Sequence, residues 1–147
     1  MNDIPINSYV LIIDDDQEDA FAFKWAFNQA IAGVEIIHYD DPAEAMKFLS
    51  SKDQAEELPT LVLLDVNMPG ADGFEVLSSI RKSNTVAHVP VLMFSNSDAQ
   101  QEVRRAYAEG ANAHLVKPAS MHDLRQMISA MVQFWLRHAT LPELAVP

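Results

Sequence analysis

Short apolar runs alternate with amphipathic stretches five times along the chain. The runs are about a strand in length and rich in β-branched side chains, which is typical of strands buried in a parallel sheet. The stretches between them have the length and spacing of helices that cover such a sheet. The five predicted strands are Tyr9–Ile13, Val34–Tyr39, Leu61–Leu64, Pro90–Phe94 and Ala113–Val116.

Helix start and stop signals fall between these strands. Asp41 and Pro42 illustrate them, because an acidic cap followed by proline at the first helical position is a common helix start. The predicted helices are about 18–32, 42–51, 73–82, a segment capped by Ser97 and Asp98 and ended by Gly110, and a last helix from Ala119 or Ser120 to about 138. A polar loop is expected at 52–57.

This alternation predicts an α/β fold with a five-stranded parallel sheet and five helices on its two faces. Short right-handed crossovers favour the flavodoxin-like, doubly wound strand order 2-1-3-4-5. We assign residues 1–138 to this domain and 139–147 to a C-terminal tail.

Composition narrows the range of functions. The net charge is −11 and the pI is about 4.6, which argues against nucleic acid and against anionic membrane surfaces as direct partners. The chain has no cysteine, so disulfides and thiolate metal sites are excluded. No secretory signal or apolar stretch of membrane-spanning length is present. We therefore expect a soluble, cytoplasmic protein.

Polar residues follow four of the predicted strands at the point where each strand ends. Asp14 and Asp15 follow the first, Asp65 the third, Ser95 the fourth and Lys117 the fifth. Carboxyl ends of parallel strands share one sheet edge, so these side chains should converge. Clustered carboxylates repel each other unless a cation joins them, and a small set of oxygen ligands suits Mg²⁺.

The same edge could hold a phosphoryl group. Lys117 supplies a positive charge for phosphate oxygens, and Ser95 supplies a neutral donor. Asp65 is then a candidate nucleophile, since carboxylates form acyl phosphates. Taken singly, Ser95 is more often a capping serine and Lys117 a surface lysine. One of the three consecutive acids should cap the following helix; we favour Asp16 for this role, as cap or outer shell.

Together these motifs resemble the receiver domain of response regulators, the chemotaxis-type module of two-component signalling. The resemblance covers about residues 8–137. Its signature is an acidic pair after the first strand, Asp-x-x-Met-Pro-Gly-x-Asp-Gly from Asp65 to Gly73, Ser95 after the fourth strand, and Lys117-Pro118 after the fifth.

The resemblance implies a role for each residue. Asp65 accepts a phosphoryl group from the phosphohistidine of a sensor histidine kinase or a histidine phosphotransfer protein. Ser95 and Lys117 contact that group, and the bond between Lys117 and Pro118 is expected to be cis. The implied ligands of Mg²⁺ are Asp14, Asp15, Asp65 and the backbone carbonyl of Asn67.

Two positions depart from the usual receiver pattern. His114 stands where receivers usually carry the Tyr or Phe that changes rotamer on phosphorylation, and imidazole can gain a charge near pH 6.5. We take Ser95 and His114 as the switch pair; the alternative is a half-exposed strand histidine. Asn96 is bulkier than the small residue common there and should slow access to the phosphoryl group. The other histidines, His38 among them, show no ligand spacing and are interpreted as incidental.

Two apolar surfaces suggest partners. Phe21 and Trp25 lie off the core face of the first helix and form either a docking patch for the phosphodonor or a surface packed under the N-terminal tail. Phe134 and its neighbours spread apolar surface around the end of the last helix. This end resembles receivers that work with phytochrome-type kinases and suggests a homodimer through the last helix and tail. No effector domain fits in the remaining residues, so output should pass through contacts with an unknown protein.

Two other functions are alternatives to a receiver domain. A dehalogenase-type phosphatase also uses a strand-end aspartate and Mg²⁺, but it needs a second acid two residues on, where this chain has Asn67. A phosphate-independent interaction module is the other alternative, and it leaves the mutually repelling carboxylates unexplained. We therefore expect a signalling domain rather than an enzyme, with at most slow self-dephosphorylation.

Overall fold

The computed structural model describes residues 9–51 and 58–141. Within them, the alternation of strands and helices is that predicted from the sequence. The strands are β1 (Tyr9–Ile13), β2 (Glu35–Tyr39), β3 (Leu61–Asp65), β4 (Asn67–Met68), β5 (Ala71–Asp72), β6 (Val91–Ser95) and β7 (Ala113–Val116). The helices are α1 (Gln17–Ala30), α2 (Pro42–Ser50), α3 (Gly73–Lys82), α4 (Gln100–Ala108) and α5 (Met121–Met131), and α5 continues as π-helical turns over Val132–His138. The predicted loop at 52–57 and most of the tail, 142–147, lie outside the described residues.

Five of the strands form one parallel sheet in the order β2-β1-β3-β6-β7. Without the short β4–β5 hairpin this is the predicted order 2-1-3-4-5, so the predicted fold class is confirmed. In the register of the central pair, Ile13 lies opposite Leu64. Asp14 therefore follows its strand at the level where Asp65 ends the neighbouring one. The connection from β2 to β3 passes over β1, so β1 and β3 are neighbours and their acidic ends lie side by side.

Helices cover both faces of the sheet. Alternate strand residues such as Leu11 and Leu64 pack with α2, α3 and Ala106 of α4 on one face. The intervening residues, such as Ile12 and Leu63, pack with α1 and α5 on the other. Strands buried on both faces explain why the runs are continuously apolar rather than alternating.

The start of α3 approaches β3 closely, and only glycine fits there. A Cβ on Gly73 would lie 2.3 Å from the carbonyl oxygen of Asp65. The side chain of Asp72 caps the helix by accepting a hydrogen bond from the amide of Phe74 (2.8 Å). Between them, the β4–β5 hairpin turns at Gly70, whose φ of +73° favours glycine. The Asp-Gly pair at the end of the motif thus fixes the backbone that carries Asp65.

Two helix ends differ from the sequence predictions. Helix α4 begins at Gln100 with Ala99 at its N-cap and no side-chain cap, because the hydroxyl of Ser97 instead accepts from the amide of Ala99 in a tight turn. The last helix does not stay α-helical to 138, and the amide of Ala139 bonds to the carbonyl of Phe134, five residues earlier. Of the two predicted starts of the last helix, Ser120 is its N-cap, because its Oγ accepts from the amide of Asp123 (3.1 Å).

Candidate functional site

The side chains predicted at the sheet edge do converge in the structure. Asp14 directly follows β1, Asp65 ends β3, and Ser95 ends β6. All three are buried. Lys117 directly follows β7 and reaches across the edge to the acids, with its amide bonded to the carbonyl of Ser95 (2.8 Å). One end of a parallel sheet therefore gathers groups that lie up to about a hundred residues apart in sequence.

Asp14, Asp15 and Asp65 form the acidic cluster of this site. Each offers one carboxylate oxygen, and the three oxygens lie within 4.8 Å of one another. Asp14 and Asp65 are buried and Asp15 is half-buried. Two buried carboxylates this close together repel each other strongly when both are charged. The donor set and its burial therefore fit a divalent cation held by oxygen ligands.

A single ammonium group lies among these acids. Lys117 Nζ donates hydrogen bonds to Asp14 Oδ2 (2.9 Å) and Asp19 Oδ2 (2.8 Å), and it lies 3.2 Å from Asp65 Oδ1. An ammonium has three N–H donors, so these three carboxylates can engage all of them. Four acids surround one base, because Asp15 belongs to the same cluster. The pocket therefore keeps a net negative charge.

This crowding shifts the titration of the buried groups. Burial and the neighbouring charge of Asp14 raise the pKa of Asp65 to about 7, against the opposing effect of Lys117. Burial also raises the pKa of Asp14, although the amide of Asp16 and Lys117 oppose the shift. Burial alone would lower the pKa of Lys117, but its hydrogen bonds to Asp19 and Asp14 raise it above the usual value. Without a cation, Asp65 therefore gains a proton near neutral pH.

Local hydrogen bonds in the loop after β1 show the role of Asp16, the third of the three consecutive acids. Asp16 caps α1, because its Oδ1 accepts from the amides of Glu18 (2.9 Å) and Asp19 (3.1 Å). Its own amide donates to Asp14 Oδ1 (2.9 Å). The prediction that Asp16 is the cap is confirmed, and it lies outside the acidic cluster.

Two residues of the site were not predicted from the sequence. Asp19 was not singled out, yet it binds Lys117; its position three residues after the cap Asp16, in the first turn of α1, was the available signal. His38 was interpreted as incidental, but its Nε2 lies 2.8 Å from the backbone carbonyl oxygen of Asp14. Its location at the end of β2, next to β1, places it beside the acidic loop.

The two predicted switch residues lie on neighbouring strands. Ser95 Oγ accepts a hydrogen bond from the amide of Ser97 (3.0 Å). The ring of His114 is only 2% exposed, and its Nε2 lies 2.7 Å from Glu102 Oε2 on α4. The residue as a whole is half-buried, as the alternative expected, while its enclosed side chain links β7 to α4.

Two further predictions concern the backbone around the site. No peptide bond within residues 9–51 and 58–141 is cis, so the expected cis bond before Pro118 is wrong. The trans form remains the lower-energy isomer even before proline. Asn67 is exposed and lies in β4, two residues after Asp65. Its predicted role as a carbonyl ligand stays a prediction.

The two apolar surfaces are both present. Phe21 is 74% exposed, and the guanidinium of Arg125 on α5 lies 5.6 Å from the ring centroid of Trp25. Phe134 is exposed at the end of the last helix and contacts Trp135, with ring centroids 5.0 Å apart. Met121, in the first turn of α5, is 47% exposed.

No helix within the described part of the chain is long and apolar enough to cross a membrane.

The sequence and the fold match known proteins closely enough to fix the family. The profile of the response regulator receiver domain matches residues 10–129. The response regulator Rcp1 of a Synechocystis species is 30% identical over 135 residues, which cover 90% of this chain and 92% of that one. The probable methanogenesis regulatory protein FilR2 of Methanothrix harundinacea is 31% identical over 128 residues, covering 86% and 83%.

Solved structures agree. The Mn²⁺-bound form of Rcp1 superposes with a TM-score of 0.80 at 30% identity, covering 92% of this chain and 99% of the other. The phosphorylated cyanobacterial phytochrome response regulator RcpA gives a TM-score of 0.83 at 29% identity, covering 92% and 98%. The resemblance drawn from the motifs, including its likeness to phytochrome-associated receivers, is confirmed. The chain belongs to the response regulator receiver domain family and is a phosphoacceptor module of two-component signalling.

Proposed function

We propose that Asp65 is the residue that accepts the phosphoryl group. The observation that carries this is the contact between its buried carboxylate and Lys117, 3.2 Å away, at the end of a central strand. In the transfer, a carboxylate oxygen of Asp65 bonds to phosphorus while the P–N bond of a phosphohistidine breaks. The leaving imidazole nitrogen keeps the electron pair, and the product is an acyl phosphate.

The acidic cluster is proposed to hold Mg²⁺ through Asp14, Asp15 and Asp65, with the backbone carbonyl of Asn67 as a further ligand. A hard dication suits these oxygen donors, whose burial and mutual repulsion Lys117 compensates only in part. When bound, Mg²⁺ supplies charge neutralisation for the incoming phosphoryl oxygens. The similar receiver Rcp1 is known with Mn²⁺ bound, which is consistent with a dication of this kind here.

Lys117 and Ser95 are proposed to bind the phosphoryl oxygens. Lys117 is already poised among the acids, and its raised pKa keeps it charged. The hydroxyl of Ser95 accepts from the Ser97 amide, which leaves its own proton free to be donated. Together they give the transferred group one charged and one neutral donor from two different strands.

We propose that Ser95 and His114 act as the switch. Recruitment of the Ser95 hydroxyl to a phosphoryl oxygen would pull on the end of β6, where it lies next to β7. His114 on β7 is bonded to Glu102 on α4, so a shift of β7 is passed to that helix. The output is then a change in contacts at α4 and β7 for an unknown partner.

Phosphodonor docking is proposed at Phe21 and Trp25, which present aromatic surface on α1 close to the pocket. Asp19, on the same helix, binds Lys117, so the patch and the pocket share one element. The partner would be a sensor histidine kinase or a histidine phosphotransfer protein, and the reaction would take place in the cytoplasm. Alanine at both aromatic positions should slow transfer from the donor while leaving labelling by acetyl phosphate unchanged.

A homodimer through the end of the last helix and the tail is also proposed. Phe134 and Trp135 supply the apolar surface, and the receiver would span 1–138 with the tail at 139–147. The domain would act as a switch rather than an enzyme, with at most slow self-dephosphorylation. Sedimentation tests this: unaltered protein should have the mass of a dimer and Phe134→Ala that of a monomer. A monomeric mass for unaltered protein would rule the dimer out.

The phosphoacceptor role is tested by incubation with Mg²⁺ and radiolabelled acetyl phosphate. Unaltered protein and the control Asp16→Asn should both become labelled, since Asn caps a helix as well as Asp does. Asp65→Asn should not be labelled, and chelation of the metal should abolish labelling of the other two proteins. Labelling that persists in Asp65→Asn would place the phosphoryl group elsewhere.

A further inference from the structure

Among residues 9–51 and 58–141, Asp19 is the one carboxylate bonded to Lys117 that lies outside the acidic cluster. Its Oδ2 accepts a hydrogen bond from Lys117 Nζ at 2.8 Å, as short as the bond from Asp14 at 2.9 Å. It comes from the first turn of α1, whereas Asp14 and Asp65 belong to strand ends. Asp19 therefore holds the ammonium from the helix side, opposite the sheet.

We propose that Asp19 is a positioning residue that sets the balance of charge in this pocket: by sharing the ammonium of Lys117 it strengthens cation binding and weakens the hold of Lys117 on an incoming phosphoryl group. This rests on the proposed roles of Asp65, Lys117 and Mg²⁺. The side chain of Asp19 is 39% exposed, and its recorded contact with the pocket is the ion pair with Lys117.

Two physical effects of Asp19 act in the same direction. Its negative charge lies near Asp65, since Lys117 Nζ is 2.8 Å from Asp19 and 3.2 Å from Asp65. The charge of Asp19 therefore repels an anionic phosphodonor and attracts a cation. It also engages one of the three N–H donors of Lys117, so a phosphoryl oxygen must compete with it. Removal of the charge should therefore have opposite consequences for the two ligands.

Asp19→Asn is the test, because it keeps the shape of the side chain and removes its charge. Glu18→Gln is the matched control: it removes the same charge from the adjacent, exposed position on α1. Mg²⁺ affinity is measured by calorimetry without phosphodonor. The rate of labelling by acetyl phosphate is measured at saturating Mg²⁺. The ¹⁵N shift of the Lys117 ammonium reports whether its partner has changed.

We expect Asp19→Asn to weaken Mg²⁺ binding about two- to fivefold and to speed labelling by about the same factor, the range that one partly exposed charge supports. Glu18→Gln should change each by less than about half as much, and only Asp19→Asn should move the Lys117 signal. A variant that loses both Mg²⁺ affinity and labelling rate would show a merely structural role and overturn the proposal. So would a variant that matches Glu18→Gln. If unaltered protein is not labelled at all, the proposed phosphoacceptor function fails first, and this outcome is separate from the other two.

Discussion

Substitution of Asp65 by Asn should stabilise the metal-free protein at alkaline pH. The pKa of Asp65 is raised from 3.8 to about 7 by burial and by the charge of Asp14. A carboxyl whose folded-state pKa is raised favours folding while it is protonated. Its contribution is fully present below about pH 4 and is lost as the pH rises through about 7. Asn at this position carries no charge at any pH and avoids that loss.

The size of the effect follows from the shift. A rise of about 3 pKa units, at 1.36 kcal/mol each, corresponds to about 4 kcal/mol lost by unaltered protein between pH 4 and pH 8. Asp14 is coupled to the same charge, and an amide pairs less strongly with Lys117 than a carboxylate does. We therefore expect the free energy of unfolding of Asp65→Asn to exceed that of unaltered protein by about 1–4 kcal/mol at pH 8. The two values should be equal near pH 4.

The measurement is the free energy of unfolding in urea, with a chelator present, at several values between pH 4 and pH 8. Asp16→Asn is the control, because it loses an exposed charge at the cap and retains capping ability. Addition of Mg²⁺ should narrow the difference at pH 8: binding at 100 times the dissociation constant stabilises a native state by about 2.7 kcal/mol, and the variant lacks one ligand. If the stability of unaltered protein and of Asp65→Asn responds identically to pH, the reasoning from buried charge is refuted.

Three further predictions follow from the surrounding structure. Gly73→Ala should lower the free energy of unfolding by about 1–3 kcal/mol and weaken Mg²⁺ binding, because its Cβ would meet the Asp65 carbonyl oxygen at 2.3 Å; unchanged calorimetric affinity would contradict this. A double-mutant cycle with His114→Phe and Glu102→Ala should give a coupling energy of about 0.5–3 kcal/mol in urea unfolding, and strict additivity would deny the contact at 2.7 Å. Asn96→Ala should speed labelling by acetyl phosphate, because it removes an exposed amide next to Ser95; an unchanged rate would show that Asn96 does not limit access.

The strands and the sheet order were predictable because strands that are buried on both faces require continuous apolar runs. The convergence of Asp65 and Lys117 was likewise predictable, since parallel order alone brings strand ends together. Asp19 was not, because its contact depends on how α1 is rotated about its axis and on the reach of a lysine from the far end of the sheet. The enclosed side chain of His114 depends in the same way on its contact with Glu102, a helix residue that no sequence motif singles out. These two contacts were missed because side-chain direction, rather than element order, decides them.

Metal binding and phosphoryl binding are coupled in this pocket, because the same two carboxylates take part in both. Asp14 and Asp65 belong to the acidic cluster, and both also contact Lys117. Charge neutralisation of these carboxylates by a cation loosens their hold on the ammonium, which then becomes available to a phosphoryl oxygen. Linkage requires the effect to be reciprocal, so bound beryllofluoride should raise Mg²⁺ affinity by the factor by which Mg²⁺ raises beryllofluoride affinity. Asp19 competes with the phosphoryl oxygen for the same ammonium, which is why removal of its charge should shift the two affinities in opposite directions.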